Sequence, residues 1–140
     1  MSYRVSLPSF KSMQFQQSID HAVLNDLKAA MGEQGANSLS DLIDLFLTDA
    51  PDSLREMRKN ARAGFWENIQ HTANLLRGCC ESLGAFEMAS CCKKIELFLS
   101  GMEKDSYSEI KVEGFLNLVI QIEDAYSRAA SELILIGAEY

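Results

Sequence analysis

The stretch Thr72–Cys80 reads TANLLRGCC. It places a glycine, Gly78, inside what the surrounding apolar spacing marks as an amphipathic helix. An exposed glycine inside a helix costs about 1 kcal/mol relative to alanine, so its presence needs a reason. On a wheel of about 100° per residue with Ile69 at zero, Ala73, Leu76, Cys80 and Leu83 fall within about 40° of zero. Glu81, Asn74, Glu67, Gly78 and His71 fall between about 120° and 200° on the same wheel. The helix therefore runs from about Phe65 to Leu83, with one face inward and Asn74 and Gly78 on the solvent side, one turn apart. A glycine one turn beyond a polar residue removes the side chain that would shield it, so another molecule can approach the backbone there. Arg77, flanking the pair, adds a cation with planar donors suited to an anion such as phosphate. Periodicity alone leaves an alternative open, that Gly78 is surface drift.

Working outward, "GAF" at 84–86 reads as a tight turn into a fourth helix. That helix carries Met88, Cys91 or Cys92, Ile95 and Leu99, and ends at Gly101. Upstream, Leu39, Leu42, Phe46, Ala50, Leu54, Met57 and Ala61 recur at helical spacing. Ser38, with Asp41 three residues on, resembles a capping box that opens this second helix, and Gly64 closes it. Pro51 lies inside it. It lacks an amide donor and crowds the carbonyl of Leu47, which predicts a kink. Asp20 is a good N-cap for a short first helix with Val23, Leu24 and Leu27 on its inner face, ending at Gly32. Residues 33–38, "EQGANS", read as a loop. Ser106 and Glu109 form a second capping box before a long last helix with Phe115, Leu118, Ile122, Tyr126, Ala129, Leu133 and Ile136 inside. Nothing reads as a strand. The fold expected is all-α, an antiparallel up-and-down four-helix bundle with a short extra N-terminal helix. Residues 1–18 form an N-terminal arm and 19–140 the bundle domain.

Composition narrows the function classes. The 140 residues carry a net charge of −7, which leaves no basic surplus to neutralise phosphates of nucleic acid or an anionic membrane. No apolar run has signal-peptide or membrane-span length, which makes the cytoplasm the default location. The four cysteines form two adjacent pairs, Cys79–Cys80 and Cys91–Cys92, that match no zinc spacing and read as reduced, packed thiols. Asp41, Asp44, Asp49 and Asp52 scatter around their helix and read as a solvated face. No nucleophile with a base at helical spacing, phosphate loop or paired-carboxylate site is present, so neither a catalytic site nor a cofactor or metal is expected. His21 has no partner pointing to chemistry.

The segment ANLLRGCCESLGAFEMASCCKKIE, 73–96, resembles the signature of histidine phosphotransfer (HPt) domains. Ala73, Leu76, Arg77, Gly78, Leu83, Gly84, Ala85, Cys91 or Cys92, and Glu96 fall in register with it. The upstream segment DLIDLFLTDAPDSLREMRKNARAGFWENI resembles the family's second helix, Pro51 included, and the likeness spans about Asp20 to Tyr126. The resemblance implies a monomeric phosphorelay module that docks the receiver domain of a response regulator or hybrid kinase. The family's phosphoaccepting histidine falls on Asn74, and Arg77 stands where lysine is usual. An amide nitrogen has its lone pair delocalised into the carbonyl and is a poor nucleophile, whereas the docking surface can survive the change. The chain is thus read as a phospho-incompetent pseudo-HPt or a His-to-Asn variant. Gln70, Glu67, His71 and Glu81 would flank Asn74 with Arg77 and Gly78 on the docking surface. His71, the one histidine nearby, reads either as a displaced acceptor or as a plain exposed side chain, and the spacing of Arg77 and Gly78 favours the second. A different class of reading is a helical adaptor that binds a partner through its arm or through the apolar "ELILIGAEY" at 132–140.

Overall fold

The computed structural model describes residues 18–101 and 109–138. All regular structure among them is helical: α1, His21–Ala30; a 3-10 turn, Gly32–Gln34; α2, Gly35–Ala63; α3, Trp66–Ser82; α4, Phe86–Ser100; and α5, Glu109–Gly137. Helices α2 to α5 form the expected antiparallel bundle. Each packs on two neighbours, α2 on α3 and α5, α4 on the same two, and α1 lies against α2. One core holds Leu39, Phe46, Leu54, Leu76, Leu83, Ile95, Phe115 and Ile122. Trp66 meets Phe115 edge to face at 5.7 Å, a favoured geometry for two aromatic quadrupoles.

Residues 1–17 of the arm and the capping box at Ser106 lie outside the described residues. Ser18 is buried, and the Ser18 and Ile19 amides donate to the Glu132 carboxylate at 2.9 and 3.1 Å. Asp20 caps α1 through its carboxylate, which accepts from the Ala22 amide at 3.0 Å.

Three sequence expectations are corrected. The stretch 33–38 is not a loop: α2 already begins at Gly35, no side chain caps it, and Ser38 sits within it. Polar residues on its solvent side carry no apolar period, so its first turn is silent in the sequence. Packing fixes this start, because a Cβ on Gly35 would come within 2.2 Å of the Lys28 carbonyl oxygen; α1 and α2 meet backbone to backbone. Leu42, expected inside, is on the surface, and Ile43 takes the inner position. Finally, the four cysteines are free, but Cys79 is exposed, while Cys80, Cys91 and Cys92 are buried. A hydrogen bond with Cys92, with burial adding to it, pushes the Cys80 thiol far above the ordinary range, so it stays protonated and unreactive.

Pro51 sits inside a continuous α2. It cannot donate to the carbonyl of Leu47, four residues back. The hydroxyl of Tyr126, from α5, donates to that carbonyl at 3.3 Å, while its ring packs at 6.0 Å from Phe46. A half-buried Arg58 joins the same two helices by donating to both Glu123 oxygens, at 2.9 and 2.6 Å. Tyr126→Phe keeps the ring and removes the donor. It should lower stability by about 1 kcal/mol, read as a lower urea midpoint at unchanged m-value. An unchanged midpoint would mean that solvent satisfies Leu47 instead.

Candidate functional site

The orientation of α3 is set at both ends by glycines with left-handed backbone. At its start, Gly64 has φ 78°, and the next amide, of Phe65, returns to the Asn60 carbonyl at 2.9 Å. At its end, Gly84 has φ 76°. The Ala85 amide there donates to the Cys80 carbonyl at 2.8 Å, and the Asp20 amide donates to the Gly84 carbonyl at 2.8 Å. A Cβ on Gly84 would stand 2.8 Å from the Asp20 carbonyl oxygen. Between these stops, Ile69, Ala73, Leu76 and Cys80 are buried.

Burying that stripe turns the opposite face outward. Glu67, Gln70, His71, Asn74, Gly78 and Glu81 are all exposed, and Arg77 is half-buried. A Cβ built on Gly78 meets nothing within 4 Å. Among the described residues no packing therefore requires glycine at this position.

Asn74 is tied to the neighbouring helix. Its Nδ2 donates to Glu96 Oε1, on α4, at 3.1 Å. Arg77 Nε donates to Glu96 Oε2 at 2.6 Å, and its Nη2 lies 3.4 Å from Oε1. Glu81, one turn on from Arg77, adds an ion pair at 3.6 Å. Burial by itself would raise the Glu96 carboxyl. The hydrogen bonds from Arg77 and Asn74 and the charge of Arg77 outweigh it and hold the group below the usual carboxylate range. The Glu96 hydrogen bond and charge raise the Arg77 guanidinium in turn. Arg77 is thus not the free cation that the sequence alone implies: two carboxylates compensate it.

The remaining residues of the face differ in their engagement. Gln70 Nε2 donates to the Ser100 hydroxyl at 3.2 Å, a second tie from α3 to α4. Glu67 and His71 have no hydrogen-bond or ion-pair partner among the described residues. Glu96 is the residue that sequence reasoning passed over as part of a site. It belongs to the segment that carries the family likeness, but its partners lie 19 and 22 positions away on another helix, where helical periodicity gives no signal. Chemically the arrangement offers an amide held by a clamped carboxylate, beside bare backbone open to approach. Among the described residues no group of three His, Cys, Asp or Glu is placed to hold a metal, and no helix is long and apolar enough to cross a membrane.

The chain is similar to known proteins in sequence pattern and in fold. The family model described as Hpt domain matches residues 41–132. Among solved structures, the crystal structure of histidine-containing phosphotransfer protein B (HptB) from Pseudomonas aeruginosa PAO1 is similar in fold, with a TM-score of 0.73 and 22% sequence identity over 89% of this chain and 97% of that chain. A comparison with curated proteins finds no match.

The Glu96 cluster has a pH signature. A carboxylate whose folded pKa is depressed adds stability that is present above its unfolded value and is lost as pH falls through the folded value. NMR titration of the Glu96 side-chain carboxyl should therefore give a midpoint below that of an ordinary glutamate, about 4.3. Arg77→Gln should raise that midpoint. A midpoint at the ordinary value in the unmodified chain would show that the clamp does not hold in solution.

Proposed function

The chain belongs to the Hpt domain family, and from that premise we propose that it docks receiver domains through the Asn74–Gly78 face of α3 without itself accepting phosphate. HPt domains are phosphotransfer carriers in phosphorelays, and members of the family interact with response-regulator receivers. In this reading Asn74 occupies the position of the phosphoaccepting histidine, and the chain acts as a monomer in the cytoplasm.

The observation that carries the reading is the pairing of an exposed Asn74 with a Gly78 that no packing among the described residues requires. The open space above Gly78 favours an external reason for the residue, since alanine there would stabilise the helix by about 1 kcal/mol. A receiver brings an acidic phosphorylation pocket to its partner. Around Arg77 two carboxylates stand against one cation, so this reading rests on close approach at Gly78 and not on charge attraction.

Transfer needs a nitrogen lone pair that attacks phosphorus while the P–O bond to the receiver aspartate breaks, leaving a free carboxylate on the receiver. The Asn74 amide has no such lone pair to offer. With Asn74→His, Glu96 could accept the N–H of one ring nitrogen, which would fix the tautomer and leave the other nitrogen as the nucleophile. The carboxylate that now holds the amide would thus serve as a positioning residue for imidazole.

The test is incubation with phosphorylated receiver domains, followed by assay for acid-labile phosphate. The unmodified chain should take up none, and Asn74→His should take it up. Receiver affinity should fall about tenfold in Gly78→Leu, equivalent to about 1.4 kcal/mol, with the helical fold intact. Labelling of the unmodified chain that disappears in His71→Ala would assign the acceptor to His71 and shift the site by one helical turn.

A further inference from the structure

On the side of the bundle away from α3, an open groove of about 400 Å³ runs along α5. It follows one stripe of that helix: Ser127, Arg128, Ser131, Glu132 and Leu135. Helices α3 and α5 stand diagonally, since each packs on both α2 and α4, so the groove is remote from Asn74 and Gly78. Leu135 is 70% exposed, the most of any large apolar side chain among the described residues, and Ile134 beside it is exposed too. The cation of the stripe is already engaged, because Arg128 donates to both Glu87 oxygens at 3.1 and 2.8 Å. Glu132, and the exposed Asp124 one turn before Arg128, leave the stripe acidic.

The described chain starts at the edge of this groove. Glu132, which lines it, accepts from the Ser18 and Ile19 amides, and His21 Nε2 stands 3.4 Å from the same carboxylate. The Ser18 side chain is buried, yet its hydroxyl has no hydrogen-bond partner among the described residues. A buried hydroxyl left unpaired costs stability, which points to a partner on the chain that precedes it.

The residues before Ser18, MSYRVSLPSFKSMQFQQ, suit this face in charge, pattern and reach. They carry Arg4 and Lys11 and no acidic side chain, so a segment of charge +2 adjoins a remainder of −9 within the chain's net −7. Opposite charge of this kind favours association and register. Met13 and Phe15 alternate with Gln14 and Gln16, the period that puts both apolar side chains on one side of an extended segment. Glu132 lies within about 8 Å of either end of the stripe along the helix axis, and residues 13–17 at about 3.3 Å each reach past that distance. Covalent attachment presents them to the groove at an effective concentration on the order of mM, so modest apolar contact suffices.

We propose that residues 1–17 bind back on this chain's own α5, with Met13 and Phe15 over Leu135 and the Glu132 carboxylate as the anchor. The segment is a strap that withholds an apolar patch which another molecule would otherwise cover, while the Asn74–Gly78 face stays open. The proposal does not depend on the receiver-docking reading.

The test is NMR on the full, isotope-labelled chain. The Leu135 methyl groups should show nuclear Overhauser contacts to the Met13 or Phe15 side chain. Met13→Asp combined with Phe15→Asp should shift the amides of Ser127, Ser131 and Leu135 and leave those of Asn74 and Gly78 in place, with the helical fold retained. In an equal mixture of labelled and unlabelled chain, an isotope-filtered spectrum should lack the Leu135 contacts. Absence of the contacts from the unmodified chain, or unmoved amides along 127–135 in the double variant, would overturn the strap. Contacts that survive the filter would overturn it as well, and would assign the face to a second copy of the chain.

Discussion

The inward stripe of α3 is the constraint from which the other features follow. Ile69, Ala73, Leu76 and Cys80 are buried together, and burial of such side chains is worth about 25 cal/mol per Å² of apolar surface. Rotating α3 to hide Asn74 would expose them. The rotation is fixed again at the two ends, where Gly64 and Gly84 take left-handed conformations that other residues adopt only with strain. The same Gly84 turn receives Asp20 and so positions α1. An apolar pattern in one helix therefore determines which residues the molecule presents.

Electrostatics then shapes what is presented. Glu96 accepts from Asn74 and Arg77 together, and it joins α3 to α4 at the middle of the exposed face. Surface ion pairs usually contribute little to stability. The consequence here is geometric: a half-buried carboxylate holds one side chain of the face and neutralises another. The open groove between α2 and α3, on the other flank of α3, is bordered by Asp49, which has no ion-pair partner among the described residues. The two sides of the same helix thus differ in how their neighbouring charges are paired.

Much of this was legible in the sequence because helical periodicity and glycine punctuation are local signals. The inner stripe of α3, the exposure of Asn74 and Gly78, the breaks at Gly64 and Gly101, and the N-cap at Asp20 all follow from spacing. The signals failed where two helices meet. Leu42 and Ile43 are adjacent and apolar, and the structure buries Ile43 while Leu42 stays at the surface. Gly35 looks like a loop residue until the Lys28 carbonyl is placed against it. Cys79 and Cys80 differ in burial because they lie on opposite flanks of the α3 stripe's edge. Glu96 required knowledge of which α4 turn faces Asn74. The carbonyl freed by Pro51 was foreseeable, but its acceptance of the Tyr126 hydroxyl depends on how α5 packs against α2.

The central claim is that partners meet this chain at the outer face of α3. Chemical-shift mapping of the labelled chain during titration with a receiver domain tests it most directly. The account predicts that the perturbed amides cluster at Asn74, Leu75, Gly78 and Cys79 and leave the far surface of α5 unchanged. Perturbations confined to Ile134 and Leu135, which are also exposed, with none at Asn74 or Gly78, would contradict it.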